Sequence, residues 1–220
     1  MEAWAVVVAA GGGTRFGGAK QFAMLGDTSV IDRSVATALS ACAGVVVVLP
    51  ADAEWEPPPG VLTVIGGATR SESVRAGLGL VPESAGVVAV HDAARPLASV
   101  RLWQAVLDAV RAGAEGAVPG VPVADTVKRV EGDRIVATVP RDDLVLVQTP
   151  QAFRAAALRS AHAAGASGTD DASLVEQAGG TVVVVPGEAT NLKLTRPDDL
   201  IVAAAFVAAQ SPIATEGASA

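Results

Sequence analysis

The chain is organised around one glycine-rich stretch, Ala9-Ala10-Gly11-Gly12-Gly13-Thr14-Arg15-Phe16-Gly17-Gly18-Ala19-Lys20-Gln21. It follows an apolar run at residues 5–8, which is predicted to be a buried strand because it is β-rich and bounded by glycine. Glycines let backbone N–H groups approach an anion closely, and Arg15 and Lys20 add two positive charges. The stretch therefore suits a polyphosphate ligand.

The stretch does not fit the two commonest phosphate-binding templates. If the dinucleotide fingerprint G-x-G-x-x-G began at Gly11, Phe16 would occupy the position that requires the last glycine. If it began at Gly12, Thr14 would occupy the position that requires the second glycine. A Walker A motif needs Gly-Lys-Ser/Thr, whereas the chain has Ala19-Lys20-Gln21. A dehydrogenase of Rossmann type and a P-loop ATPase are therefore not supported. A loop that is merely flexible remains the simpler alternative.

Composition sets limits on fold and partners. The 220 residues fit one domain, and 50% are hydrophobic, which is enough for a substantial core. With four Phe, three Trp and no Tyr, the chain is not expected to recognise a base by aromatic stacking. The net charge of −7 argues against nonspecific binding to nucleic acid or an anionic membrane. Cys42 is the only cysteine, so an intrachain disulfide and a cysteine metal cluster are excluded.

No targeting segment is indicated. Glu2 precedes the apolar residues 3–10, which lead into the glycine-rich stretch rather than a cleavage site. The apolar residues 200–209 are too few to span a membrane. We therefore expect a cytoplasmic protein with one domain over residues 1–210, followed by a disordered tail over residues 211–220.

Strand and helix patterns alternate along the first half of the chain. Predicted strands lie at residues 5–8, 45–49, 61–65, 87–90 and 117–121. Predicted helices lie at residues 30–41, 70–80 and 100–111. This alternation predicts an α/β fold with a mostly parallel, twisted sheet covered by helices on both faces.

The alternation changes at Pro122. Residues 123–130 and 134–139 are strand-like and are joined by Glu131-Gly132-Asp133, which predicts a protruding β-hairpin arm over about residues 122–143. The later elements are predicted as two strands and three helices. The strands are residues 144–147, returning to the sheet, and 181–185, a last core strand. The helices are residues 154–164, 171–178 and 197–210.

His91-Asp92-Ala93-Ala94-Arg95-Pro96 follows a predicted central strand. Ligands of open α/β sheets bind at the carboxyl ends of strands, so Asp92 is placed to hold a hydroxyl group or a hydrated Mg²⁺ ion. Arg95 could clamp a phosphate with two hydrogen bonds. An Asp–Arg pair that only closes a turn is an equal alternative on spacing alone. We interpret His91 as structural.

Several ordered motifs resemble one enzyme family. The glycine-rich stretch resembles the N-terminal signature of sugar-phosphate nucleotidyltransferases. Five further motifs then resemble, in order, those of the 2-C-methyl-D-erythritol 4-phosphate cytidylyltransferase family, over roughly residues 4–207. They are Gly66-Gly67-Ala68-Thr69-Arg70-Ser71-Glu72-Ser73-Val74, His91-Asp92-Ala93-Ala94-Arg95-Pro96, Asp125-Thr126-Val127-Lys128, Gln148-Thr149-Pro150-Gln151 and Asn191-Leu192-Lys193-Leu194-Thr195-Arg196-Pro197-Asp198-Asp199.

The resemblance implies roles for individual residues. Those implied to line cytidine triphosphate are Ala9, Ala10, Gly11, Gly12, Gly13 and Gly67, with Ser73 reading the cytosine. Those implied to be catalytic are Arg15 and Lys20, which stabilise the transition state, and Arg141 and Lys193, which position the methylerythritol phosphate. Those implied to complete the polar site are Asp92, Arg95, Thr126 and Thr149.

The activity implied is cytidylyl transfer from CTP to 2-C-methyl-D-erythritol 4-phosphate, in the non-mevalonate isoprenoid pathway, with Mg²⁺ or another divalent cation as cofactor. The hairpin arm is implied to exchange across a two-fold homodimer, so that Thr126 and Arg141 serve the partner's site. Two alternatives remain open. One is a cytidylyltransferase for a pentitol phosphate such as ribitol 5-phosphate. The other is a nucleotide-binding module without catalysis, which need not keep Arg15, Lys20, Arg141 and Lys193 together.

Overall fold

The computed structural model describes residues 1–13, 16, 18–163, 165 and 168–210. Six helices are described: α1 (Val30–Ala41), α2 (Arg70–Leu78), α3 (Val100–Arg111), α4 (Ala155–Ala163), α5 (Asp171–Gln177) and α6 (Pro197–Gln210). The strands are β1 (Ala3–Val8), β2 (Met24–Leu25), β3 (Thr28–Ser29), β4 (Gly44–Leu49), β5 (Val61–Ile65), β6 (Val87–Asp92), β7 (Gly116–Pro122), β8 (Val127–Glu131), β9 (Arg134–Val139), β10 (Val145–Val147), β11 (Gln151–Arg154) and β12 (Val182–Pro186).

Eight of these strands form the central sheet. β5, β4, β1 and β6 are neighbours in that order, and all of them run parallel. β11 then pairs antiparallel with both β6 and β7. β10 pairs antiparallel with the end of β7, and β12 pairs with β7 in parallel along its other edge. The predicted mostly parallel α/β sheet is therefore confirmed, with an antiparallel strand inserted near its middle.

The buried strands carry side chains into two separate cores, one on each face. Successive residues of a strand point to opposite faces, and β1 follows this rule. Ala5 and Val7 pack with Ile31 of α1 and Trp103 of α3, whereas Val6 packs on the opposite face. The side chains packed in the core that contains Val6 include Val74 and Leu78 of α2, Leu158 of α4 and Leu174 of α5. Helices cover both faces, as the sequence predicts.

Two strands of the central sheet differ from the sequence-based prediction. β11 was not predicted, because its four residues carry only one aromatic and no β-branched side chain and run directly into α4. β12 was predicted as a core strand, and this is wrong. It pairs only with β7 at an edge of the sheet, and Val184 is 55% exposed. A valine run alone does not distinguish an edge strand from a central one.

The predicted hairpin is present, although its first strand begins at Val127 rather than near residue 123. β8 and β9 pair antiparallel with each other, in a two-stranded sheet separate from the central one. Most of its residues are exposed. The predicted tail over residues 211–220 lies outside the described residues. Among the helices of the described chain, none has the length and apolar character needed to cross a membrane.

Gly77 lets α2 pack closely against the sheet. A Cβ atom at this position would lie 2.5 Å from Val6 Cγ1 and 3.0 Å from Val48 Cγ2, and both valines are fully buried. Helix α2 carries Arg70 and Ser73, so its distance from the sheet also fixes the position of these two side chains.

We predict that Gly77→Ala destabilises the protein. Helix propensity alone would make this substitution stabilising by about 1 kcal/mol. Overpacking against two buried valines should instead cost about 1–3 kcal/mol. Urea unfolding of the two proteins measures the sign directly, and a higher midpoint for Gly77→Ala would contradict the close packing.

Candidate active site

A cavity of about 250 Å³ lies at the carboxyl ends of β1, β5 and β6. A smaller cavity of about 120 Å³ adjoins it and shares Arg70, Asp92 and Lys193. The residues that line the larger cavity are Val8, Ala9, Ala10, Gly11, Gly12, Lys20, Gln21, Gly67, Ala68, Thr69, Arg70, Ser73, Asp92, Ala93, Ala94 and Lys193. This edge of the sheet is where ligands of open α/β folds bind.

The first part of the glycine-rich stretch forms one wall. The Ala9 N–H donates to Val48 O at 2.8 Å, which continues the main-chain bonding beyond β1. The buried Gln21 side chain donates to Gly11 O at 3.4 Å and ties the loop to the short 3₁₀ helix Lys20–Phe22. Gly13 has a φ of +60°, and a Cβ there would clash with Gly18 O, so only glycine suits the turn.

The opposite wall is the N-terminus of α2. Thr69 accepts a hydrogen bond from the Glu72 N–H, and the Glu72 carboxylate accepts one from the Thr69 N–H, which forms a capping box. The positive end of the helix dipole faces the cavity at this point and favours an anionic ligand. Ser73 lies in the same helix, buried, and its hydroxyl donates to Thr69 O at 3.0 Å.

The loop after β6 is held by a directional chain of hydrogen bonds. The Asp92 N–H donates to Thr149 Oγ1 at 3.0 Å, and that hydroxyl lies 3.1 Å from His91 Nδ1. His91 Nε2 lies 3.1 Å from Arg95 O, which can only accept, so Nε2 carries the proton and Nδ1 accepts. Burial lowers the pKa of His91 to about 4. A neutral His91 thus supports the loop, in agreement with its interpretation as structural.

Asp92 is the central charge of the site. Its Oδ1 accepts from Arg70 Nε at 3.1 Å, and its Oδ2 accepts from Lys193 Nζ at 2.6 Å. Burial alone would raise the pKa of Asp92, but the charges of Arg70 and Lys193 outweigh it and hold the pKa well below its usual range. Asp92 is therefore ionised throughout the physiological pH range.

Lys193 reaches the site from a segment far along the chain. The Leu194 N–H donates to Ala94 O at 2.8 Å, and Arg95 Nη1 donates to Asn191 O at 2.8 Å. Gln148 also donates to Asn191 O, at 3.2 Å. These bonds fasten the segment beside the loop after β6. Arg95 is predicted to clamp a phosphate, but one of its N–H donors is used in the bond to Asn191 O.

The structure brings most of the predicted site residues together. Those that line the larger cavity are Ala9, Ala10, Gly11, Gly12, Lys20, Gly67, Ser73, Asp92 and Lys193. Arg95 and Thr149 line the adjoining cavity. Gly13 shapes the loop without lining either cavity. Arg15 lies outside the described residues.

Thr126 and Arg141 lie apart from both cavities, beside the hairpin. Both are exposed, and Arg141 Nη1 donates to Ala124 O. Within one chain, these two predicted site residues are therefore not brought to the cavity that contains Lys20 and Lys193.

Sequence reasoning assigned no role to Arg70 or Gln148, although both stand inside the motifs quoted above. Arg70 is the first residue of α2, where a positive charge opposes the helix dipole. A cation at this unfavourable position is a signal in the sequence that could have indicated a functional role for Arg70. The carboxylate of Asp171, which accepts from Arg70 Nη1 at 2.7 Å, was missed as well. Asp171 is 101 residues away in sequence, and no local pattern indicates such a contact.

The donor set fits a magnesium ion only together with a phosphorylated ligand. Mg²⁺ is commonly held by one or two carboxylates, substrate phosphates and water. Among the residues that the structure describes, Asp92 is the one carboxylate that lines the larger cavity, and each of its oxygens keeps a further lone pair beyond the bonds described. Among the described residues, groups of three or more His, Cys, Asp or Glu side chains that could hold a metal do not occur.

The larger cavity carries more positive than negative charge. Of the described part of the chain, Lys20, Arg70 and Lys193 line it as cations and Asp92 as the single carboxylate. Such a site can bring two phosphate groups together, because it offsets their mutual repulsion.

The doubly covered sheet, the glycine-rich loop after its first strand and the cationic cavity at its carboxyl edge define the class of nucleotidyltransferases. The family model described as 2-C-methyl-D-erythritol 4-phosphate cytidylyltransferase (IspD) matches residues 3–209. The chain belongs to this family of enzymes, as the resemblance implies.

Similar proteins agree with this assignment. A 2-C-methyl-D-erythritol 4-phosphate cytidylyltransferase from Streptomyces coelicolor is 46% identical over 93% of this chain and 84% of that protein. A bifunctional enzyme IspD/IspF from Solidesulfovibrio magneticus is 41% identical over 99% of this chain, and the match spans 60% of that relative's length. The crystal structure of the cytidylyltransferase from Thermus thermophilus has a TM-score of 0.80 and 40% identity, covering 92% of this chain and 98% of that one.

We predict that His91 makes the stability depend on pH. Its pKa falls from 6.5 to about 4 on folding, so the unfolded chain binds more protons between these values and stability falls as the pH drops through this range. At about 1.4 kcal/mol per unit, the loss is about 3 kcal/mol. Urea unfolding between pH 7 and about pH 4 measures this loss. The difference in free energy of unfolding between wild type and His91→Gln should shrink as the pH falls. Parallel profiles for the two proteins would contradict it.

Proposed function

We propose that this chain transfers the cytidylyl group of CTP to 2-C-methyl-D-erythritol 4-phosphate, giving 4-diphosphocytidyl-2-C-methyl-D-erythritol and pyrophosphate in isoprenoid biosynthesis. The observation that carries the proposal is the cavity that Lys20, Asp92 and Lys193 line together with the first residues of the glycine-rich stretch. Its walls supply N–H donors and cations for the phosphates of two substrates. We place the reaction in the cytoplasm, where nucleoside triphosphates are supplied.

The chemistry asks mainly for charge neutralisation. A phosphate oxygen of the acceptor forms a bond to the α-phosphorus of CTP, and the bond to the pyrophosphate oxygen breaks. The nucleophile is already an anion, so a general base is not required, and catalysis rests on positioning and electrostatics. Lys20 and Arg15 would stabilise charge that grows on the α-phosphate, and Lys193 would hold the acceptor phosphate.

A divalent cation, Mg²⁺ in this proposal, would be held by Asp92 and the triphosphate oxygens. When bound, it would neutralise phosphate charge. Arg70, on the other side of Asp92, would keep the carboxylate turned toward the cavity. The described residues that line the larger cavity include no aromatic side chain, so recognition of cytosine would rest on hydrogen bonds near Ser73 and Gly67.

Pyrophosphate release with a panel of acceptors tests the proposal. With CTP, turnover of methylerythritol phosphate should exceed that of ribitol 5-phosphate and other polyol phosphates. A Lys20→Ala variant is the matched control for background release, since loss of one transition-state donor typically lowers kcat about 10²-fold. If no acceptor in the panel gave pyrophosphate release, a nucleotide-binding module without catalysis would be favoured. Faster release with ribitol 5-phosphate would favour a pentitol phosphate as the natural acceptor.

We further infer that the chain acts as a homodimer through the hairpin arm. β8 and β9 pair only with each other, and an isolated two-stranded hairpin is marginally stable in water. Val130 and Ile135 on the hairpin are 57% and 60% exposed. Thr126 and Arg141 lie outside their own chain's cavities, which supports a role for them in the site of a second copy.

Mixing two inactive variants tests the shared site. If one subunit supplies Lys20 and the other Arg141, a heterodimer of Lys20→Ala and Arg141→Ala chains contains one intact site and one doubly damaged site. Half of the dimers in a random mixture are heterodimers, so activity should recover toward about a quarter of wild type. Recovery should be absent when either variant is mixed with itself. A monomer by sedimentation, or no recovery, would refute the shared site.

A further inference from the structure

A line of hydrogen-bonded polar side chains runs from the protein interior to the cavity. His162 Nε2, on α4, donates to Asp171 Oδ1 at 3.0 Å, and Asp171 Oδ2 accepts from Arg70 Nη1 at 2.7 Å. Arg70 and Lys193 then share the two oxygens of Asp92, as described above. The side chains of His162 and Asp171 are 3% and 1% exposed, and neither lines a cavity that contains Asp92. We call these five side chains the charge relay.

Arg70 is held in an unfavourable place. It begins α2, where the helix dipole repels a cation, and the capping box of Thr69 and Glu72 already satisfies that helix end. Burial by itself would lower the pKa of Arg70, but Asp92 and Asp171 outweigh it and raise the pKa above its usual value. The guanidinium therefore depends on both carboxylates for its orientation.

Asp171 is in turn fixed by its surroundings. Asp170, just before it, caps α5 by accepting from the Ser173 N–H at 3.0 Å. Gln151 of β11 donates to Asp170 Oδ2 at 2.9 Å and accepts from the Ala172 N–H at 3.3 Å. The first turn of α5 is thus fastened to the central sheet, and the Asp171 carboxylate is aimed at Arg70 with His162 behind it.

We propose that Asp171 and His162 are positioning residues for the transfer reaction, because they hold Arg70 and thereby fix the Asp92 carboxylate and the Lys193 ammonium group. The proposal rests on the proposed function, because the activity measured in the experiments below is the proposed transfer reaction. The contacts of Asp171 and His162 with Arg70 do not depend on the identity of the acceptor. A misplacement of about 1 Å in a catalytic group can cost about 10²-fold in rate, so loose support of Arg70 should be visible in kcat.

The first experiment is Asp171→Asn. An asparagine has one acceptor oxygen, which can face His162 or Arg70 but not both. We expect kcat for pyrophosphate release to fall about 10- to 100-fold while the KM for CTP changes little. A variant that is folded by circular dichroism and keeps the wild-type kcat would overturn the proposal.

The second experiment compares two substitutions of His162. His162→Gln keeps a side-chain donor for Asp171, whereas His162→Leu fills similar space without one. We expect His162→Leu to lose kcat and His162→Gln to keep most of it, at a temperature where both are folded. Equal kcat values for the two variants would show that His162 acts only through packing.

Arg159→Gln is the matched control on the same helix. Arg159 fastens α4 to the end of α2 by donating to Leu78 O, Val81 O and Pro82 O, and none of these three bonds involves a side chain of the charge relay. We expect a lower Tm with kcat unchanged. If Arg159→Gln lost kcat as strongly as Asp171→Asn, general loosening of α4 would explain both, and the proposal would fail.

A crystal structure of Asp171→Asn separates this inference from the proposed function. If wild type turned over no acceptor, the proposed function would fail, but a displaced Arg70 in the variant would still support the charge relay. An Arg70 that kept its position on Asp92 would overturn the relay whatever the substrate. If wild type turned over the acceptor and Arg70 kept its position in the variant, the proposed function would be supported and only the positioning role of Asp171 and His162 would be refuted.

Discussion

The structure depends on one shared carboxylate. Asp92 stands at the end of a central parallel strand and accepts from Arg70 on one oxygen and from Lys193 on the other. At the cavity, this contact joins α2, the end of a sheet strand and the segment before α6. A carboxylate between two cations stays ionised, and two cations around one carboxylate leave a net positive charge. The same contact therefore holds the site together and makes it attractive to phosphate.

The main chain beside this contact is supported by neutral groups. His91, Thr149 and the Arg95 carbonyl form a chain in which every donor meets an acceptor. Such a chain has a direction, and a protonated imidazole would place a donor against the Thr149 hydroxyl. The charged part of the site and its neutral support thus begin on consecutive residues, since His91 is buried in the interior and Asp92 lines the cavity.

Local patterns in the sequence were sufficient to predict the fold class, the helices and most of the strands, because apolar periodicity and glycine punctuation act over few residues. The position of Asp92 at a strand end followed from the same patterns. β11 was not predicted, because a four-residue strand between a proline and a helix is too short to show an apolar periodicity. The edge position of β12 and the ion pair of Arg70 with Asp171 were not predicted, because both depend on contacts between distant segments. Arg15 stays a prediction, and so do the roles of Thr126 and Arg141.

The distance along the chain between Asp92 and Lys193 has a consequence for biosynthesis. These two residues are 101 positions apart, as are Arg70 and Asp171. Strands β1, β4, β5 and β6 can pair as soon as the first half of the chain has been made, whereas the site also needs β11, α5 and the segment that carries Lys193. Contacts of such long sequence separation form late, since their loop-closure entropy must first be overcome. A ribosome-bound chain would thus pair these four parallel strands well before it completes the cavity.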